Sequence, residues 1–266
     1  MENAIFARGI QAFQTELHRR GYVLLVSCHL YKPEIEKELI RTMVARGADG
    51  LLLIGHDRKP DIYQYLATHH MPTLVSWIYD EEAERPSVGL EKRTTMERLA
   101  KQVLDLGHET VGAIMGASKY NDRVRQRIEG IRHALLAHGK DPASLTIVEA
   151  DHNMESGGAA FENLMTAQKP PTAIICGNDV LAVGAIRRAA QLGIDVPKDV
   201  SITGFDDIEI ARIVEPALTT VHVPHREMGR LAAGELVDMI EKKRTKDSVS
   251  LETSVKMRAS LGPPKS

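Results

Sequence analysis

Short apolar runs alternate with amphipathic stretches along almost the whole chain, and this alternation limits the fold more than any other feature. Residues 22–27, 51–55, 72–77, 111–116, 173–177 and 200–205 are apolar runs of strand length. Between them, Ile35, Leu39, Ile40, Met43 and Val44 fall on one helical face. Leu99, Val103, Leu104 and Leu106 fall on another, with Gly107 placed to end the helix. A further helix is predicted through Val180, Leu181, Val183 and Ile186, ending near Leu192-Gly193. Strands that take turns with helices predict an α/β protein with parallel sheet.

Two of these runs end in polar residues. Ala173-Ile174-Ile175-Cys176-Gly177 is followed by Asn178-Asp179, and Ser201-Ile202-Thr203-Gly204-Phe205 by Asp206-Asp207. In an open parallel sheet, ligands sit beyond the carboxyl ends of the strands. Two acceptor-rich ends close together in sequence point to one small polar ligand.

Composition removes several classes. A net charge of -2 gives no global basic field to hold nucleic acid, and 4% aromatic residues are too few for a base-stacking platform. The two cysteines, Cys28 and Cys176, lie in apolar runs and are expected to be buried free thiols in a reducing compartment. The first residues lack the pattern of a secretion signal, so the cytoplasm is the expected compartment. There is no GxGxxG after a strand, no GxSxG elbow, and no Tyr followed four residues later by Lys. Gly139-Lys140 lacks the rest of a phosphate loop. His69 and His70 are helical neighbours that point apart, with no HExxH to support them. No metal, cofactor or catalytic residue is expected.

Read together, the segments resemble the effector-binding core of the lac repressor-type (LacI/GalR) family. Leu106-Gly107-His108 and residues 111–116 look like its "LGH…I…G" passage, and Arg125-Gln126-Arg127-Ile128-Glu129-Gly130 like its "R-x-R-x-x-G" helix. Asn178-Asp179-Val180-Leu181-Ala182-Val183-Gly184 resembles "ND-x-x-A-x-G". Residues 196–207 resemble "VP-x-DVS-x-x-GFDD", and Pro216-Ala217-Leu218-Thr219-Thr220-Val221 resembles "P-x-LTTV". Residues 34–55 resemble the family's second helix and third strand. Each motif is weak alone; six in the right order are specific.

The resemblance implies a periplasmic binding protein-like fold of type I: two doubly wound parallel-sheet lobes joined by extended crossovers, with the ligand cleft between them. Crossing points at residues 87–90 and 218–224 divide the chain into 1–90 plus about 224–250 and 91–223 plus about 251–266. A final helix is predicted over 225–242, then a charged solvated turn over 241–246 and a frayed tail from Gly262. The chain opens on a helix, 4–20, where a doubly wound domain opens on a strand. The family's first core strand is therefore missing here, and so are its helix-turn-helix headpiece and hinge helix. A truncated chain or a headless relative is expected.

For the ligand, the resemblance places Arg127 where family members hold the effector, and its guanidinium can donate a fork of bonds to hydroxyls or a carboxylate. Asp206 can accept two hydroxyls, and Asn178 offers a donor and an acceptor. Asp179 and Asp207 are expected to cap helices. Trp77 and Phe6 are expected as ring faces from the first lobe, Phe6 matching the last aromatic of the family's "NPFF". His152 stands where an aromatic is common, Val223 where several relatives have Gln, and Glu91-Lys92 where "DN" is common. Arg127 with His152 would suit an anionic or acidic-sugar ligand. The implied function is effector sensing for a transcriptional repressor, the ligand a sugar or sugar derivative. Lobe closure would control operator DNA through paired headpieces in a homodimer. The alternatives are a solute-binding protein of a sugar transporter and an α/β sugar-processing enzyme.

Overall fold

A computed structural model describes residues 4–243 and 248–265. In chain order the elements are α1 (Ala4–Arg19), α2 (Pro33–Ala45), β1 (Leu51–Ile54), α3 (Pro60–Thr68), β2 (Thr73–Ser76), β3 (Ser87–Gly89), α4 (Lys92–Asp105), β4 (Val111–Met115) and α5 (Asp122–Ala137). They continue as β5 (Thr146–Glu149), α6 (Met154–Met165), β6 (Ala173–Cys176), α7 (Asp179–Gln191), β7 (Ser201–Asp206), α8 (Ile210–Ile213), β8 (Thr219–His222), α9 (His225–Ile240), β9 (Val249–Ser250) and β10 (Ser254–Lys256). Among the described residues no helix is long and apolar enough to cross a membrane.

The chain forms two compact units. Unit 1 comprises residues 1–91, 119–123 and 224–252; unit 2 comprises 92–118, 124–223 and 253–266.

Unit 1 holds a four-stranded parallel sheet in the order β1-β2-β3-β9. Leu51 and Leu53 point into a core with Ile40, Ile62 and Leu66. Pro33 and Pro60 open α2 and α3 at positions where a missing N–H costs nothing. Helices α1 and α9 touch at Gly9 and Gly229, where a Cβ on Gly229 would collide with the Gly9 carbonyl.

The strand expected over 22–27 is not formed: residues 22–29 are irregular. Val23, Leu25 and Val26 are 84%, 68% and 50% exposed. A β-prone sequence becomes a strand only when a neighbour takes its backbone N–H and C=O groups, and among the described residues none pairs with this one. Cys28, expected to be buried, is accordingly exposed.

Unit 2 holds a six-stranded sheet in the order β10-β8-β7-β6-β4-β5, all parallel except β10, which runs antiparallel to β8. Winding goes outward from β4 to β5, then returns past β4 to β6, β7 and β8. The order therefore reverses between β4 and β6. Phe161, Ile174, Leu181, Ile186 and Ile202 are among the residues of one core cluster on this sheet. Helices α6 and α7 press backbone to backbone: a Cβ on Gly157 would meet the Leu181 carbonyl, and one on Gly184 the Met154 carbonyl.

Edge strand β5 escaped the sequence reading because its residues are only half-buried or exposed and show no apolar run. The tail expected to fray from Gly262 is held instead. The Gly262 carbonyl accepts from His108 Nε2 at 2.8 Å and from Ser201 Oγ at 3.0 Å. Of the charged run 241–246, residues 241–243 are exposed and the rest lie outside the described residues.

Candidate functional site

The winding reversal in unit 2 creates a crevice beyond the carboxyl ends of β4 and β6, the place where open α/β sheets bind ligands. Asn178 follows β6 and Asp206 ends β7, at the carboxyl ends of neighbouring strands.

Asn178 follows β6 and is extended, with its side chain accepting from Leu181 N at 2.9 Å. It is the cap of α7, and Asp179 is not: the shorter reach from Asn178, one residue earlier, satisfies the free N–H of the first turn. Asp179 is fully buried and ties three strand ends together. It accepts from Thr220 Oγ1 at 2.5 Å and from Ile208 N at 2.8 Å. Burial, reinforced by the nearby Asp206 charge, raises the Asp179 carboxyl well above its ordinary range and favours its protonated form.

Asp207 does not cap a helix either. The residue before α8 is Glu209, and no side chain caps that helix. Asp207 instead accepts from Arg258 at 2.5 Å and from His222 Nδ1 at 2.9 Å, with Arg212 at 3.5 Å. Burial opposes its ionisation, but the hydrogen bonds from Arg258 and His222 outweigh burial and hold the carboxyl below its ordinary value.

Asp206 is 2% exposed and adopts φ 109, with Asp207 following at φ 51. Two successive non-glycine residues at positive φ cost strain, and such strain clusters at functional sites. Phe205, fully buried, carries the Arg127 guanidinium 4.2 Å from its ring centroid. Arg127 itself is 9% exposed, so it is not one of a row of solvated arginines. The half-buried His152 ring lies against Gly116 at the end of β4, leaving no room there for a side chain. Val223 is buried at 2% exposure.

Lys92, part of the Glu91-Lys92 pair that stands where relatives commonly have "DN", is the first residue of α4 and 1% exposed, with its ammonium 5.1 Å from the Phe205 centroid.

In unit 1, Phe6 and Trp77 meet edge to face with centroids 5.1 Å apart. Trp77 is 3% exposed, at φ 62, and its ring fills the space beside Gly9. The indole Nε1 is buried with no hydrogen-bond partner among the described residues. A second polar group in this unit, unseen in the sequence, closes the end of β1. Arg123 donates to the Ile54 carbonyl at 3.0 Å, and Arg58 to Glu36 at 2.7 Å.

Comparison with known proteins agrees with this geometry. A family model described as a periplasmic binding protein-like domain matches residues 100–261. The transcriptional repressor PurR of Klebsiella pneumoniae (strain 342) is 31% identical over 254 residues, covering 94% of this chain and 74% of the repressor. A transcriptional regulator of the LacI family from Burkhoderia phymatum superposes with a TM-score of 0.87 at 27% identity, covering 98% of this chain and 95% of the regulator. A LacI family regulator from Enterococcus faecium, solved with bound ribose, shares the fold with a TM-score of 0.84 at 23% identity, covering 97% and 94%. Motifs, sheet order and kinship coincide: the chain belongs to the LacI family of transcriptional regulators and comprises its effector-binding core.

Proposed function

We propose that this core senses a small polyhydroxylated effector, a sugar or sugar derivative, for a transcriptional repressor, and that it catalyses no reaction. The observation that carries the reading is the strained Asp206 beside Phe205, whose ring bears Arg127, in the unit whose winding reverses. Asp206 accepts ligand hydroxyls and Arg127 donates to them. Asn178, committed to its cap through Oδ1, retains its amide N–H groups for the ligand. His152, in the same unit, adds a further contact from the loop before α6. The bound ribose of the Enterococcus relative supports the ligand class. Binding favours one arrangement of the two units over another, and in a cytoplasmic homodimer that shift alters operator binding.

The test is calorimetry and thermal shift against sugars, sugar acids, sugar phosphates and purines, since a ligand of the folded state raises its melting temperature. Arg127→Ala and Asp206→Ala each abolish the binding seen with the wild type. Arg127→Lys and Asp206→Asn, which keep bulk and polarity, weaken it. Normal binding by either alanine variant overturns the site assignment.

A further inference from the structure

The segment that closes β7 keeps a shape its own residues disfavour. Asp206 sits at φ 109 and Asp207 at φ 51, side by side. A residue with a side chain reaches only a narrow left-handed well, and it does so at a cost. Such a conformation persists where its surroundings over-determine it. Here the surroundings act through Asp207. Its side chain is fully buried, and both carboxylate oxygens are engaged. Oδ1 accepts from Arg258 Nη2 at 2.5 Å, and Oδ2 from His222 Nδ1 at 2.9 Å, with Arg212 at 3.5 Å.

The donors are themselves fixed. Arg258 Nη1 donates to the Leu218 carbonyl at 2.7 Å, and the Arg258 backbone N–H to Thr219 Oγ1 at 2.8 Å. His222 is the β8 residue that stands opposite Asp206 in the sheet. On the far side, Ile208 N donates to Asp179 Oδ2 at 2.8 Å. The turn is thus gripped at two consecutive residues beyond Asp206, by groups that all belong to unit 2. With its side chain buried and both oxygens engaged, Asp207 has no face to offer an effector; what it governs is its neighbour. We infer that Asp207 is a positioning residue for effector binding: held by Arg258 and His222, it fixes the left-handed turn that aims the Asp206 carboxylate. The inference rests on the proposed role of Asp206 as a ligand acceptor, and it adds the device that presents that acceptor.

Matched backbone variants test it. Asp207→Ala and Asp207→Gly remove the same carboxylate and strand the same Arg258, but glycine takes a positive φ freely and alanine does not. If the ion pair only stabilised the fold, the more flexible glycine variant would bind no better than the alanine variant. A positioning role gives the opposite order. The probe is D-ribose, or whichever other member of the panel of sugars, sugar acids, sugar phosphates and purines binds the wild type most tightly, by calorimetry well below each melting temperature. Affinity falls about tenfold or more in Asp207→Ala, and Asp207→Gly recovers about fivefold of that loss. Asp207→Asn, which keeps an acceptor and tolerates left-handed backbone, loses only about threefold. Arg258→Gln, which leaves His222 and Arg212 on the carboxylate, serves if the alanine variant does not fold. Its Ile208 amide exchanges with deuterium about tenfold faster than in the wild type, while the amides of β6 are unchanged. The inference falls if Asp207→Ala binds like the wild type, if glycine binds no better than alanine, or if exchange at Ile208 does not change. Asp206→Ala separates the two levels. If it binds like the wild type, or if no member of the panel binds the wild type, the reading of the site is wrong and the inference goes with it. If it loses binding while Asp207→Ala keeps it, only the positioning role is wrong.

Discussion

The sheet of unit 2 winds outward and then back, whereas the sheet of unit 1 runs in one direction through its described strands, from β1 to β2 to β3 to β9. Both are parallel, both are covered by helices of similar character, and both end strands in polar residues. Only the sheet of unit 2 shows a reversal among the described strands; unit 1 gathers its buried polar side chains, Glu36, Arg58 and Arg123, at the end of β1 instead. Residues 22–29, as β-prone in sequence as β6, pair with no strand among the described residues, and β1 forms one edge of its sheet. A ligand crevice in this architecture needs strands on both sides of the turning point.

The contrast can be broken most severely in the core of unit 2. Phe161→Ala empties a fully buried position in the core cluster and should cost about 3–5 kcal/mol in chemical denaturation. Next is Asp207→Ala, which strands the largely buried Arg258 guanidinium without its carboxylate. A loss of about 3 kcal/mol is expected, and a loss below about 1 kcal/mol would mean that solvent already screens the pair.

The units should also differ in their response to pH. In unit 1, hydrogen bonds from Arg19 and then Arg20 hold Glu16 down to about 2, below its ordinary 4.5. A folded value below the unfolded one means that the unfolded chain binds the extra proton. The contribution of Glu16 is therefore present above pH 4.5 and lost as pH falls toward 2. In unit 2 the sign is opposite. Asp179 is raised, so its contribution is complete below the ordinary carboxylate range and is lost as pH rises through the raised value. Melting temperature against pH should flatten on the acid side in Glu16→Gln and toward neutral pH in Asp179→Asn. Unchanged slopes would remove the distinction.

The smallest effect is expected where sequence and structure disagree most. Val23→Ser replaces an apolar residue that is 84% exposed, and its stability should change by no more than about 0.5 kcal/mol. A loss above about 1 kcal/mol would show that residues 22–29 are packed in solution, and the contrast between the sheets would shrink.

Much of unit 2 was legible in the sequence. β4, β6 and β7 are fully buried runs of a kind that only a covered parallel sheet makes, and the residues after β6 and within the end of β7 are polar where the sheet ends. What stayed hidden depended on neighbours distant in sequence. Whether 22–27 becomes a strand depends on a partner, and local propensity carries no record of one. Asn178 and Asp179 are both good caps, and only the position of Thr220 and Ile208 commits Asp179 elsewhere. That Lys92 packs buried against Phe205, more than a hundred residues later, shows only in the fold.

The contact between α6 and α7 has a mechanical consequence. Asn153 and Asn178 cap these two helices, and Gly157 and Gly184 let the backbones touch just inside both caps. No side chain intervenes there that could change rotamer and absorb a displacement. The two helix starts are thereby yoked: a push on the loop carrying His152 is handed to the loop carrying Asn178. The two ligand contacts proposed for His152 and Asn178, twenty-six residues apart, would then act as one rigid jaw rather than as two independent fingers.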